Sequence, residues 1–156
     1  MRSLVLALAL CCPAFAQDDG FRAVSSRSPA EVHAQLDNVC RVRCGNSMGS
    51  GTYIGQGVVV SAWHVFRGEG RQATCTFPVR GQLTDSVSGT LVGYDSTWDI
   101  ALIRLSGTPS RAKGVPVAWD TPAMGETAVA AGYSSGRLLL LPGKVSGRAM
   151  PVGESG

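Results

Sequence analysis

Three side chains in this sequence could together perform nucleophilic chemistry: His64, Asp99 and Ser155. A histidine can act as a general base, and a serine hydroxyl becomes a nucleophile when such a base takes its proton. A carboxylate can hold the histidine in the required tautomer and balance its charge. Each residue alone is weak evidence, since lone histidines and serines are common in structural roles. It is the combination, in this order along the chain, that indicates catalysis.

His64 follows directly on a predicted strand. Residues 58–60 are all valine, a β-branched run typical of a strand covered on both faces. Before it, the glycines at 49, 51, 55 and 57 predict a tight hairpin. A histidine fixed at a strand end can meet groups from other loops, as a general base must. Trp63 stands beside it, and we expect this bulky side chain to pack outward.

Asp99 is predicted to lie at the mouth of the apolar strand that begins at Ile100. Its carboxylate would be largely desolvated there, and an unpaired carboxylate in such a place is costly. A charge-bearing partner is therefore expected. Asp95, four residues earlier, is the more exposed carboxylate and could instead be a turn residue.

Ser155 lies in the segment Gly153-Glu154-Ser155-Gly156. Flanking glycines allow the backbone to turn sharply and expose the hydroxyl. The amides of Gly153 and Ser155 would then be free to point at one oxyanion.

The composition is that of a globular protein that leaves the cytoplasm. The chain has 156 residues, 44% hydrophobic and 16% charged, which is enough for one sizeable core. Arg2, an apolar run and the small-residue site at residues 14–16 predict a secretory signal peptide cleaved after Ala16, and so a secreted or periplasmic protein. No later stretch approaches the length of a membrane span. The net charge of +3 is not clustered, which argues against a nucleic-acid or membrane partner.

Three cysteines follow the predicted signal peptide: Cys40, Cys44 and Cys75. One disulfide is plausible in an exported chain, and we expect Cys44 and Cys75 as the pair, with one thiol left over. Zinc binding is the weaker interpretation because no CxxC pair or nearby histidine supplies a fourth ligand. No metal or organic cofactor is expected.

The middle of the chain predicts an all-β fold. A capping box at residues 28–31 predicts a short helix to about Leu36, with His33 as a solvated residue on it. Six short β-rich runs then suggest a closed barrel or sandwich: Val39 to Cys44, Thr52 to Ile54, Val58 to Ala62, Gln72 to Pro78, Ser86 to Tyr94 and Ile100 to Leu105.

Further strands are predicted beyond a polar connector at residues 106–113, which is the expected domain boundary. They cover Val115 to Trp119 and Thr127 to Gly132. Two more, Arg137 to Leu141 and Lys144 to Met150, are expected to flank a turn at Pro142-Gly143.

Several segments resemble the motifs of chymotrypsin-like serine peptidases, especially trypsin-like and HtrA-like bacterial domains. GSGTYIGQGVVVSAWHV resembles their histidine motif, DSTWDIALIRL their aspartate motif, GETAVAAGYSSG the opening of their second barrel, and GESG their nucleophile loop. The resemblance implies two Greek-key β-barrels and hydrolysis of peptide bonds in a polypeptide substrate. It also implies that Ser155 attacks the carbonyl, His64 moves the proton, Asp99 orients the imidazole, and the Gly153 and Ser155 amides form the oxyanion hole.

The resemblance divides the chain into a signal peptide (1–16), a leader with a short helix (17–37), a first β-barrel (38–108) and a partial second β-barrel (109–156). The family continues beyond its nucleophile with strands that close the second barrel, whereas this sequence stops one residue after Ser155. We therefore expect a fragment of a longer protein, with the second barrel incomplete and the chain alone inactive.

Two other interpretations stay open. The first is a non-catalytic trypsin-like domain that acts as a secreted binding module. The second is an unrelated secreted β-barrel in which the order of the motifs is accidental.

Overall fold

The computed structural model describes residues 6–7, 34–117, 123–134 and 136–146. Residues 34–36 are helical, and a 3₁₀ helix covers Trp63–Val65. The strands in these ranges are β1 (Leu6–Ala7), β2 (Val39–Cys44), β3 (Ser47–Gly55), β4 (Val58–Ala62), β5 (Gln72–Val79), β6 (Gln82–Asp95), β7 (Ile100–Leu105), β8 (Thr127–Ser134) and β9 (Arg137–Lys144).

Strands β2 to β7 form a closed barrel in the order β2-β3-β4-β7-β6-β5. Closure comes from antiparallel pairing of β2 with β5, in which Val42 lies opposite Cys75. Side chains along β7 alternate between exposed and buried, as a strand with one face on a core requires. The barrel interior is filled by aliphatic and aromatic side chains that include Val42, Val59, Phe77 and Ile103, each at most 1% exposed.

Three strands of the barrel match the sequence prediction in both bounds. The bounds of β2, β4 and β7 are those predicted. The prediction that residues 58–60 are covered on both faces was wrong, because Val59 points into the core while Val58 and Val60 are only half-buried on the outer face.

Strand β3 is much longer than predicted because two of its glycines are packing residues. A Cβ on Gly51 would lie 2.6 Å from Val59 Cγ1 and 2.8 Å from Val42 Cγ2, so only glycine fits this close approach to the core. Gly49 similarly leaves room for Val65, whose Cγ2 lies 2.5 Å from where a Cβ would be. The turn into β4 is made instead by Gln56 and Gly57, both with positive φ.

A second sheet of the described chain has the order β1-β8-β9. β8 and β9 form a hairpin in which Ser134 pairs with Arg137, so the turn lies there. The predicted turn at Pro142-Gly143 was wrong: both residues lie inside β9, where Pro142 pairs with Val129. Among the described residues β9 lies at the edge of this sheet, a position in which proline is tolerated. β1, which pairs in parallel with β8, falls within the predicted signal peptide.

The connector after β7 is tied to the barrel by buried Asn38. Its Oδ1 accepts hydrogen bonds from the backbone amides of Lys113 (3.0 Å) and Gly114 (2.8 Å). Residues 115–117, predicted as the start of a strand, have no regular structure. His33, and the start of the predicted helix, lie outside the described residues.

Cys40, Cys44 and Cys75 are buried and unbridged. The predicted disulfide between Cys44 and Cys75 is therefore absent from the structure. The register explains this, since Cys75 lies opposite Val42 and each neighbouring cysteine of β2 is only a diagonal neighbour. The Cys44 thiol lies 3.7 Å from the carbonyl oxygens of Glu69 and Gly70, where burial raises its pKa.

Candidate active site

His64 sits on a short 3₁₀ turn that is fixed to the end of the barrel. The turn starts where β4 ends, and the Phe66 amide closes it by donating to the Trp63 carbonyl at 2.8 Å. Val65 and Phe66 are at most 1% exposed, so the residues after the histidine anchor the turn in the core. The imidazole itself stays exposed, with about half of the side chain (51%) accessible. A strand end followed by two buried side chains therefore presents His64 to solvent in a fixed position.

Asp99 lies between β6 and β7 with a left-handed backbone, at φ 53°. Non-glycine residues seldom adopt this conformation, although aspartate does so more readily than most. The side chain is 19% exposed, so it is more desolvated than that of His64. The expected partner of Asp99 is His64, which carries a charge only when its ring is protonated.

Three hydrogen bonds join Asp99 to the turn that carries His64. The His64 Nδ1 and Asp99 Oδ2 atoms are 2.7 Å apart, and the His64 backbone amide donates to Asp99 Oδ1 at 2.8 Å. The Asp99 carbonyl oxygen in turn accepts from the Trp63 amide at 3.1 Å. Both carboxylate oxygens and the main chain of Asp99 thus hold the same turn.

This arrangement selects the tautomer of the imidazole. A carboxylate oxygen can only accept, so the hydrogen lies on His64 Nδ1 when the ring is neutral. Nε2 is then an acceptor, and among the described residues it has no hydrogen-bond partner. His64 and Asp99 therefore form a dyad that can take a proton from a group placed near Nε2.

An aromatic stack flanks the dyad. The rings of Trp63 and Tyr94 are 3.9 Å apart between centroids and within 10° of parallel. Trp63 is half-buried against the barrel core, while Tyr94, near the end of β6, is 59% exposed. Trp63, which was expected to pack outward, is instead partly buried against the core and stacked on Tyr94. Tyr94 was not predicted, because a solvent-facing aromatic residue on a strand carries no pattern of its own.

Asp95 is the turn residue of the β6–β7 connection. Its Oδ1 accepts hydrogen bonds from the amides of Thr97 (2.9 Å) and Trp98 (3.1 Å). This side chain shapes the loop that carries Asp99 and has no contact with His64.

Ser155 and Gly153, the predicted nucleophile and oxyanion-hole residues, lie outside the described residues. The structure therefore brings together two of the three residues of the predicted triad. Within the part of the chain that the structure describes, no group of three or more histidine, cysteine or acidic side chains could hold a metal ion.

The sequence around His64 and Asp99 matches a known protein family. The model of one protein family, the trypsin-like peptidase domain, matches residues 49–154. That range includes His64, Asp99 and Gly153 and ends just before Ser155. No curated protein matches the chain.

Several solved peptidases have a similar fold. The Rv3671c protease of M. tuberculosis is 21% identical in its active form, with a TM-score of 0.62 over 84% of this chain and 61% of its own. The inactive form of the Rv3671c protease is also 21% identical, with a TM-score of 0.63 over 84% of this chain and 66% of its own. The serine endoprotease from Yersinia pestis is 21% identical, with a TM-score of 0.63 over 80% of this chain and 46% of its own. The chain thus spans less than two thirds of each, and such identities show the fold alone.

In the described residues, no helix combines the length and apolar character needed to cross a membrane.

Proposed function

We propose that this chain, which belongs to the trypsin-like peptidase family, is part of an exported serine endopeptidase that hydrolyses peptide bonds through His64, Asp99 and Ser155. The observation that carries the proposal is the 2.7 Å contact between His64 Nδ1 and Asp99 Oδ2, which leaves Nε2 free to act as a base. The family match over residues 49–154 supports the same chemistry.

In the proposed mechanism, His64 Nε2 takes the proton from the Ser155 hydroxyl as its oxygen attacks the scissile carbonyl. The imidazolium that forms is stabilised by Asp99, which is already positioned on Nδ1 and need not move. The amides of Gly153 and Ser155 donate to the oxyanion of the tetrahedral intermediate. His64 then returns the proton to the leaving amine, and water repeats the sequence on the acyl-enzyme.

The proposal also covers the location of the protein, its second barrel and its substrate. The predicted signal peptide, cleaved after Ala16, supports a secreted or periplasmic location. We infer that the β8–β9 hairpin belongs to a second barrel, whose other strands would complete the site around Ser155. The substrate is a polypeptide, and the proposed chemistry uses only side chains and backbone amides.

The direct test replaces Ser155 in the full-length protein. With fluorescently labelled denatured casein as the probe, S155A should lower the rate of cleavage by about 10³-fold or more, because the nucleophile is lost. S146A is the matched control, since Ser146 is exposed and lies on the same stretch of chain. Cleavage by S155A at the wild-type rate would overturn the assignment. If the protein with Ser155 intact does not cleave casein, the alternative of a non-catalytic binding module is favoured.

A further inference from the structure

A large groove lies at the end of the barrel far from His64. It has a volume of about 1370 Å³ and is lined by four segments: the end of the helix, the β5–β6 turn, the connector after β7 and the β8–β9 turn. β6 begins at the groove, which Gln82 and Leu83 line, and ends after 14 residues at Asp95, on the loop that carries Asp99, so the groove and the dyad lie at opposite ends of this strand.

The walls of the groove carry an excess of positive charge. Arg80, Arg111, Lys113 and Arg137 all line it, against the single carboxylate of Asp37. Asp37 pairs with Arg111, at 3.3 Å between its Oδ2 and the arginine Nε. Within the described residues the other three cations form no ion pair, so their charges are available to a ligand.

Hydrogen bonds hold one wall in place without using these charges. Asp85 Oδ2 accepts from the backbone amide of Ser110 (2.6 Å) and from its hydroxyl (2.8 Å). Asn38 Oδ1 accepts from the amide of Lys113, as described above. The backbone that carries Arg111 and Lys113 is therefore fixed on both sides, which lowers the entropy lost on binding.

The groove also has apolar and neutral polar surface. Leu36 and Leu138 line it together with the half-buried ring of Tyr133. Burial, followed by the nearby Cys40 thiol and Asp37, raises the pKa of Tyr133 to about 12. Its hydroxyl is therefore protonated at physiological pH and can donate a hydrogen bond to an anionic group.

We propose that this groove binds an acidic segment of a polypeptide, with carboxylates on Arg80, Lys113 and Arg137 and apolar side chains against Leu36 and Leu138. The volume exceeds the ~300 to 1,000 Å³ of ordinary small-molecule pockets, which favours an extended chain over a compact anion. Cations spread over separate segments suit several carboxylates in succession. The groove and the dyad are separate, so a bound segment leaves His64 accessible.

A role in selecting substrates rests on the proposed peptidase function, whereas binding itself does not. A protein that held an acidic segment here could present the neighbouring chain to the active site and so favour substrates with a cluster of Asp and Glu. Rim charges of this kind mainly raise the rate of association and are screened by salt.

The test measures binding in the full-length S155A variant, so that cleavage plays no part. The probe is a short fluorescent peptide rich in glutamate with interspersed leucine, and its control has every glutamate replaced by glutamine. The double variant R80Q/R137Q should weaken binding by about 10-fold, as expected for two exposed charge contacts. The matched double variant R43Q/K144Q removes two exposed cations that do not line the groove and should change binding by less than about 2-fold.

Four outcomes would overturn the proposal: no binding of the glutamate peptide, equal binding of the glutamine peptide, equal loss in the two double variants, or complete competition by an equal concentration of inorganic pyrophosphate. The last would indicate a site for small anions. A full-length protein with Ser155 intact that binds the glutamate peptide but cleaves no polypeptide would contradict only the proposed function.

Discussion

Asp99 contributes both to the shape and to the chemistry of the proposed site. One carboxylate oxygen fixes the backbone of the histidine turn and the other fixes the imidazole ring. The left-handed backbone of Asp99 belongs to this arrangement, in which its own carbonyl oxygen accepts from the Trp63 amide. Conformations of this kind persist where the surrounding structure holds them, and they cluster at functional sites.

We predict that D99N lowers kcat of the full-length protein by about 10³- to 10⁴-fold. The amide group that replaces Oδ2 would face the hydrogen on His64 Nδ1, which favours the other tautomer and removes the acceptor at Nε2. The measurement is kcat on a peptide substrate. D95N is the control, because asparagine keeps the oxygen that caps the loop at Thr97 and Trp98. An equal loss of kcat in D99N and D95N would contradict this prediction, because it would mean that the loop conformation alone, and not the Asp99 carboxylate, controls catalysis.

The Trp63–Tyr94 stack should be a measurable stabilising pair. Interacting aromatic pairs contribute about 1 kcal/mol beyond the area they bury. In a double-mutant cycle of W63A and Y94A, urea unfolding should therefore give a coupling free energy of about 1 kcal/mol. Additive effects, within ~0.3 kcal/mol, would mean that the rings are neighbours without interacting.

At the scale of elements, the sequence predicts best the strands whose pattern comes from burial. The apolar run of β7 and the valine run of β4 both mark where these strands begin. Strand β3 was predicted too short because its glycines read as turn signals, whereas Gly49 and Gly51 are there to let neighbouring side chains approach. β9 was predicted as two strands because Pro142 was interpreted as a turn residue. A proline is compatible with an edge strand, and the sequence does not reveal that β9 lies at the edge of the described sheet.

Replacement of Gly51 tests the close packing across β2, β3 and β4. G51A should lower the free energy of unfolding by about 1 to 3 kcal/mol, because the new methyl group would overlap Val59 and Val42. G107A is the control: a Cβ there would meet Val87 at 3.7 Å, an ordinary contact, and should change stability by no more than ~0.5 kcal/mol. Similar losses for both glycines in chemical denaturation would contradict the packing account.

At the scale of the whole molecule, the order of the motifs predicted the family and the site, whereas composition predicted only a globular chain. The segments around His64, Asp99 and Ser155, in that order, indicated the family. They also predicted that His64 and Asp99 belong to one site, although the two residues are 35 positions apart in the sequence. The disulfide was predicted wrongly because cysteine positions alone do not give the register, which sets Cys75 opposite Val42. The cationic groove was not predicted at all, since its residues come from four separate segments with no common motif.

The most direct test of the central claim is labelling of the full-length protein with a serine-directed fluorophosphonate, followed by mass spectrometry to locate the adduct. The probe reacts with a serine only when a base activates it. The account predicts an adduct on Ser155 that is lost in H64A and strongly reduced in D99N. An intact, folded protein that forms no adduct, or an adduct on Ser155 that persists in H64A, would contradict it.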